Sequence, residues 1–255
     1  MLSKMIKSLL LLALQLQPTI QAPLKQPGIV ARNSLPVRTI AGVTVVDTPI
    51  VRDAHDFARR HSSDWVYKHV MRTWLYGALI INHNATLKRS VDLEVHAVAV
   101  LLHDLGWDRT PNSTLISTDK RFEVDGAIAA REFIRSNKHG KNWAELRVQH
   151  VWDAIALHTQ PGIYDYKEFD VKVTGSGINT DFHGPSNGIT QPEYDAIVQE
   201  YPNADLYPGT NETITWLCQT KPNTTVDTWQ QAWGEHYVEN YPPKGVSTWD
   251  MLSHW

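Results

Sequence analysis

Val95-His96-Ala97-Val98-Ala99-Val100-Leu101-Leu102-His103-Asp104 is the stretch on which the reading of the fold turns. A run this apolar predicts a helix buried on all sides. An unpaired charge in such a place costs on the order of several kcal/mol, so a histidine and an aspartate at its end need a partner. A divalent cation satisfies both, because neutral imidazole and carboxylate are each metal ligands and the cation offsets the buried negative charge. The competing reading of the same dipeptide is a helix-terminal pair that caps backbone groups.

Working outward, the buried helix runs from about Asp92 to Leu105 and stops at Gly106. Before it, Phe57, Trp65, Val66, Val70, Trp74, Leu75, Ala78 and Leu79 recur at helical spacing and predict one long helix over about 51–82, with Asp47 or Thr48 as its cap and Pro49 in its first turn. Further helices are expected over 121–136, 143–157, 192–200 and 226–239. A Gly-rich passage over 174–185 stands apart from them, where the chain can approach a ligand closely. The stretch 23–50 holds Pro23, Pro27, Pro36 and Pro49 and reads as an extended segment with a short strand over 43–46. The fold class is all-α: one helical domain over 51–240, followed by a tail over 241–255.

The remaining composition narrows the function. With 255 residues and 42% hydrophobic content the chain can bury a substantial core, and a formal charge of -3 without any basic run excludes an electrostatic footprint for nucleic acid. Lys4 and Lys7 precede a short leucine-rich core, and Thr19-Ile20-Gln21-Ala22 offers a cleavage site, so residues 1–22 read as a signal peptide of a secreted protein and not as a stable membrane span. The acceptors Asn84, Asn112, Asn211 and Asn223 agree with export as a glycoprotein. Cys218 is the only cysteine, so an internal disulfide is impossible. Phosphate-loop and Gly-x-Ser-x-Gly motifs are absent. Trp229, Trp233, Trp249 and Trp255 read as rings packed on the helical core in preference to a sugar platform.

Ligands beyond His103 and Asp104 must come from other elements. His69 heads the block His69-Val70-Met71-Arg72, with Arg72 on the same helical face. His158 follows Ala154-Ile155-Ala156-Leu157, and Asp181 sits in the Gly-rich passage. In this order, and with Leu101-Leu102-His103-Asp104-Leu105-Gly106 and Phe122-Glu123-Val124-Asp125-Gly126-Ala127 between them, the blocks resemble the HD-domain metal enzymes. The flanking residues are most similar to the fungal cyanamide hydratase branch, over roughly 51–185. An export signal departs from what an intracellular detoxifying enzyme needs.

The resemblance implies an HD-domain helical bundle in which His69, His103, Asp104 and Asp181 bind one divalent metal ion, zinc first, with iron or manganese as alternatives. Asp165 and Asp170 rival Asp181 for the fourth place. His96 lies about 10 Å from His103 along the helix, too far to share its ion, and reads as a packed or supporting histidine. His158 and Asp108 are the candidates for moving protons, against readings as a core histidine and a loop cap. Arg72, Glu123 and Trp107 are the candidates for holding a small-molecule substrate. The expected activity is the addition of metal-activated water to a small polarised nitrile- or amide-like substrate. The alternatives are an HD-type phosphohydrolase, or a secreted binding protein whose metal is structural.

Overall fold

The computed structural model describes residues 35–253. The expected signal peptide and Trp255 lie outside the described residues. The fold begins with a hairpin, β1 (Val37–Ile40) and β2 (Val43–Val46), paired antiparallel with Val37 opposite Val46 and Ile40 opposite Val43. Its two turn residues, Ala41 and Gly42, have φ values of 46° and 78°, the geometry that lets a two-residue turn follow the strand twist. Val43, Val45 and Val46 are buried, so this hairpin lies on the helical core and is not an independent layer.

The helices follow in sequence: α1 (Pro49–Arg60), α2 (Asp64–His83), α3 (Ala85–Ser90) and α4 (Leu93–Leu102). After a short 3-10 turn at Leu105–Trp107 come α5 (Phe122–Ser136), α6 (Glu145–Leu157), α7 (Pro161–Tyr164) and α8 (Phe169–His183). The described chain ends with α9 (Gln191–Glu200), α10 (Leu206–Thr220), α11 (Gln231–Tyr237) and α12 (Thr248–Leu252). The all-α expectation holds.

Three expectations need correction. The single helix over 51–82 is two, because the chain leaves the helical conformation at His61 and Ser63 starts α2 in an extended conformation. Ser-Ser-Asp is a helix-start signal, and it outranks the apolar periodicity on either side. The Gly-rich passage is the C-terminal half of α8. Its glycines serve close packing: a Cβ on Gly177 would lie 2.8 Å from the Thr73 carbonyl oxygen of α2 and 3.0 Å from the Gly77 nitrogen. The region 226–239 is helical only over Gln231–Tyr237, and α10, which the sequence reading did not foresee, precedes it.

The predicted buried run is α4. Every residue from Val95 to Leu102 is buried, and the helix packs against α1, α2, α6 and α8. Asp92 caps it by accepting from the Glu94 and Val95 amides, and Arg147 of α6 bonds to Asp92 and Glu94. α2 is buried on nearly all faces from Val66 to Ile81 and packs along α8. His96 of α4 sits against Gly77 of α2, where any Cβ would collide with its ring, and its Nδ1 lies 3.3 Å from the Thr174 hydroxyl of α8. It is a packed core histidine, as expected. A smaller cluster of Val66, Val70, Trp107, Phe122, Ile214, Leu217 and Cys218 fastens α10 and the tryptophans after it onto this core. Among the described residues no helix is long and apolar enough to cross a membrane.

Candidate metal centre

α4 ends at His103, which is still helical (φ -64°, ψ -31°), while Asp104 has already left the helix (φ -100°, ψ 18°). This break turns two neighbouring side chains toward one point. α2 brings His69 to the same point from across the core. The His69 and His103 Nε2 atoms are 3.2 Å apart, and Asp104 Oδ2 lies 3.5 Å from the first and 3.1 Å from the second. All three side chains are buried, and each offers one ligand atom within 4.8 Å of the others.

The hydrogen bonds behind these atoms decide what they can do. His103 Nδ1 donates to the Val100 carbonyl at 2.7 Å, and His69 Nδ1 donates to Asp181 Oδ2 at 2.7 Å. Each ring therefore presents a bare Nε2 lone pair to the cluster. Among the described residues, neither Asp104 oxygen receives a hydrogen bond, although both are buried. Two facing lone pairs beside an unsatisfied carboxylate are unfavourable unless a cation joins them, so the donor set fits a divalent metal.

Asp181, the expected fourth ligand, is not brought to this point. Its Oδ1 accepts from Arg72 Nε and its Oδ2 from Arg72 Nη2 and His69 Nδ1, all at 2.7 Å. Burial raises its carboxyl pKa, but the hydrogen bonds from His69 and Arg72 outweigh that and hold it below the usual carboxylate range. Asp181 supports the far side of His69, the arrangement that fixes the tautomer of a ligating histidine. Its rivals are engaged elsewhere: Asp170 accepts from the Asp92 amide and His150, and Asp165 pairs with Lys172. Arg72, expected to hold substrate, is engaged away from the cavity. Besides Asp181 it bonds to the Tyr201 and Pro202 carbonyls, and it is absent from the cavity wall.

His158 is the C-cap of α6 and repeats the geometry of His103, donating from Nδ1 to the carbonyl three residues back at 2.7 Å. Its Nε2 lies 3.8 Å from Asp104 Oδ1. Burial above all pushes its pKa down, so it is a neutral base at pH 7. Asp108 is placed apart from the cluster. It accepts from Ser113, the Thr110 amide and His61, and it lines a separate hollow with Trp65 and Arg109. This matches the loop-cap reading and leaves His158 as the proton-moving candidate.

Trp107 does wall the site, as expected. The cluster opens into a cavity of about 720 Å³ whose walls are mostly apolar, lined by His158, Thr159, Asn179, Phe182, Tyr207, Asn211, Trp229 and Trp233 among others. Glu123 is fully buried behind this wall. It accepts from Thr159 Oγ1 at 2.8 Å, Trp229 Nε1 at 3.3 Å and Arg121. Burial raises its pKa, and the hydrogen bond and charge of Arg121 more than reverse this. Thr159, Asn179, Phe182 and Tyr207 were missed in the sequence because none belongs to a motif. Asn211 was visible only as a glycosylation acceptor, and Trp229 and Trp233 only as core rings. Trp249 is 77% exposed and packs on no core, contrary to expectation.

The profile of the HD domain family matches residues 66–200, just over half of the chain. A search of the curated proteins returned no match. The matched region carries His69, His103, Asp104, His158 and Asp181. A buried His-His-Asp cluster between two core helices, within that match, places this chain in the HD domain family, whose members are generally metal-dependent hydrolases.

Proposed function

We propose that the protein adds water to an uncharged, polarised carbon of the nitrile or amide type, as a metal-dependent hydratase or hydrolase. The observation that carries this reading is the makeup of the cavity wall: among the described residues no lysine or arginine lines it, and Arg72 is committed to Asp181 and two carbonyls. A phosphoryl substrate needs cationic partners besides the metal, so this wall supports a neutral substrate over a phosphate ester. A purely structural metal is disfavoured because three ligands facing an open cavity leave positions for reactants, whereas structural sites are closed.

His69, His103 and Asp104 would hold a divalent cation, which would supply Lewis acidity and lower the pKa of water toward neutrality. His158, neutral and with its Nε2 free, accepts the proton from water and returns it to the substrate nitrogen. Asp181 holds His69 in register, and Trp107 restricts water at the cavity wall. Replacing His158 by alanine is expected to leave the metal content near wild type and to lower turnover about 100-fold or more. The test pairs metal analysis of the purified protein with a turnover screen of nitriles, amides and phosphate esters. Turnover confined to phosphate esters would refute the proposal. Loss of metal in the His158 variant would make that residue a ligand.

The protein is also read as exported. The signal pattern over 1–22 supports this, as do the exposed acceptors Asn84, Asn112 and Asn223. Asn211 faces the cavity and accepts from Trp233, so glycan there would be incompatible with this wall.

A further inference from the structure

Much of the cavity wall comes from outside the HD match. Tyr207, Asn211, Trp229 and Trp233 all follow residue 200 and reach the site because α10 and α11 fold back over the core. The two indoles are fixed. Trp229 donates to the buried Glu123, Trp233 donates to Asn211 Oδ1 at 2.8 Å, and their rings stand edge to face with centroids 5.6 Å apart. A hydrogen-bonded, half-buried tryptophan pair beside a reactive centre is a preorganised surface for another ring. Thr159 adds a polar reading. Its hydroxyl proton goes to Glu123 and one lone pair receives Gln160, so it can only accept one further hydrogen bond from whatever occupies the cavity.

The volume points the same way. About 720 Å³ lies in the range of cavities that enclose drug-sized ligands, and a molecule as small as cyanamide would leave most of it to water. We infer that the substrate is an uncharged molecule carrying an aromatic ring beside the polarised carbon, with the ring seated on Trp229 and Trp233 and an N–H donor directed at Thr159. This rests on the reading of the centre as one that adds water to a neutral carbon. It assigns substrate selection to residues after the family match.

The test is calorimetric binding to the metal-loaded protein with three hydrolytically resistant or short-exposure probes: phenylurea, methylurea and phenyl phosphate. Phenylurea is expected to bind about ten-fold or more tightly than methylurea, from burial of one ring, and more tightly than phenyl phosphate. Trp233→Ala should weaken phenylurea about ten-fold, while Trp233→Phe, which keeps a ring, should recover most of the loss. Equal binding of the two ureas, or tighter binding of phenyl phosphate, overturns the inference without touching the water-adding reading. Phenylurea preference in a protein that turns over no nitrile or amide keeps Trp229 and Trp233 as the seat of a ring, but removes that reading and with it the polarised carbon of the inferred substrate.

Discussion

Replacing Asp181 by asparagine separates a supporting carboxylate from a ligating one. The wild-type carboxylate accepts three hydrogen bonds of 2.7 Å, two from Arg72 and one from His69. An asparagine has one acceptor oxygen. Placed where Oδ2 stands, it keeps His69 Nδ1 and Arg72 Nη2 and turns its own N–H groups against Arg72 Nε. The histidine tautomer survives, but the negative charge behind His69 and opposite Arg72 is gone. Outer partners of this kind are worth about 10–100-fold in metal affinity, or about 1.4–2.7 kcal/mol. The opposed donors and the uncompensated Arg72 charge lower stability by a further amount of about 1–3 kcal/mol. The control is Asp104→Asn, which removes a direct ligand charge and should abolish tight binding altogether. Competition with a chromophoric chelator reads both affinities, and thermal melts of the metal-free proteins read the stability. An Asp181→Asn protein with wild-type metal affinity would refute the reasoning. A loss as complete as that of Asp104→Asn would show that Asp181 bonds the ion directly.

Three other outcomes follow from the geometry. Gly177→Ala puts a methyl group against the Thr73 carbonyl, which α2 and α8 relieve only by moving apart, so denaturant melts should show a loss of about 1–3 kcal/mol together with weaker metal binding. His150 is hydrogen-bonded at 2.8 Å to Asp170, which raises its pKa above the unfolded value of about 6.5. That contribution is present in full below the unfolded pKa and is lost as pH rises through the raised one, so His150→Ala should lower the melting temperature more at about pH 6 than at about pH 8.5. Protein recovered from the medium of a eukaryotic host should begin after residue 22 and shift in mobility on endoglycosidase treatment through Asn84, Asn112 or Asn223; an unshifted protein with an intact N-terminus would end the export reading.

The all-α class, α4, α5 and α6 were legible because each rests on local signals, and the convergence of His69 with His103 and Asp104 was legible only through the family resemblance of the motif blocks. A continuous apolar run, a cap and an ordered set of motif blocks survive any tertiary arrangement. What was not legible depends on contacts between distant elements. Gly175 and Gly177 look like a loop until Tyr164 and Thr73 are seen against them, and then they are the small faces of a packed helix. Asp181 is an equally good ligand or supporter by sequence, and only its distance to His69 Nδ1 and Arg72 decides. The tryptophans after residue 200 were expected in the core. Trp229 and Trp233 do pack there, and the fold of α10 and α11 also turns one edge of that packing into a cavity wall.

One local device recurs and sets the sign of the site. His103 and His158 are the C-caps of α4 and α6, and each donates from Nδ1 to the carbonyl three residues earlier, at Val100 and Ile155. The bond uses a helix-end carbonyl, which at Ile155 also takes the His158 amide, and leaves Nε2 facing the cavity. It also brings the negative ends of two helices to the same place. Each helix end favours a nearby positive charge by about 0.3–1 kcal/mol and disfavours a negative one by a similar amount. A divalent cation is therefore stabilised by the backbone as well as by its ligands. An anionic substrate meets two helix termini, Asp104 and no arginine or lysine in the wall, whereas an uncharged substrate meets no such penalty. On the proposed reading, a preference for neutral molecules follows from where α4 and α6 end, and a variant that reverses it must add a cation to this wall.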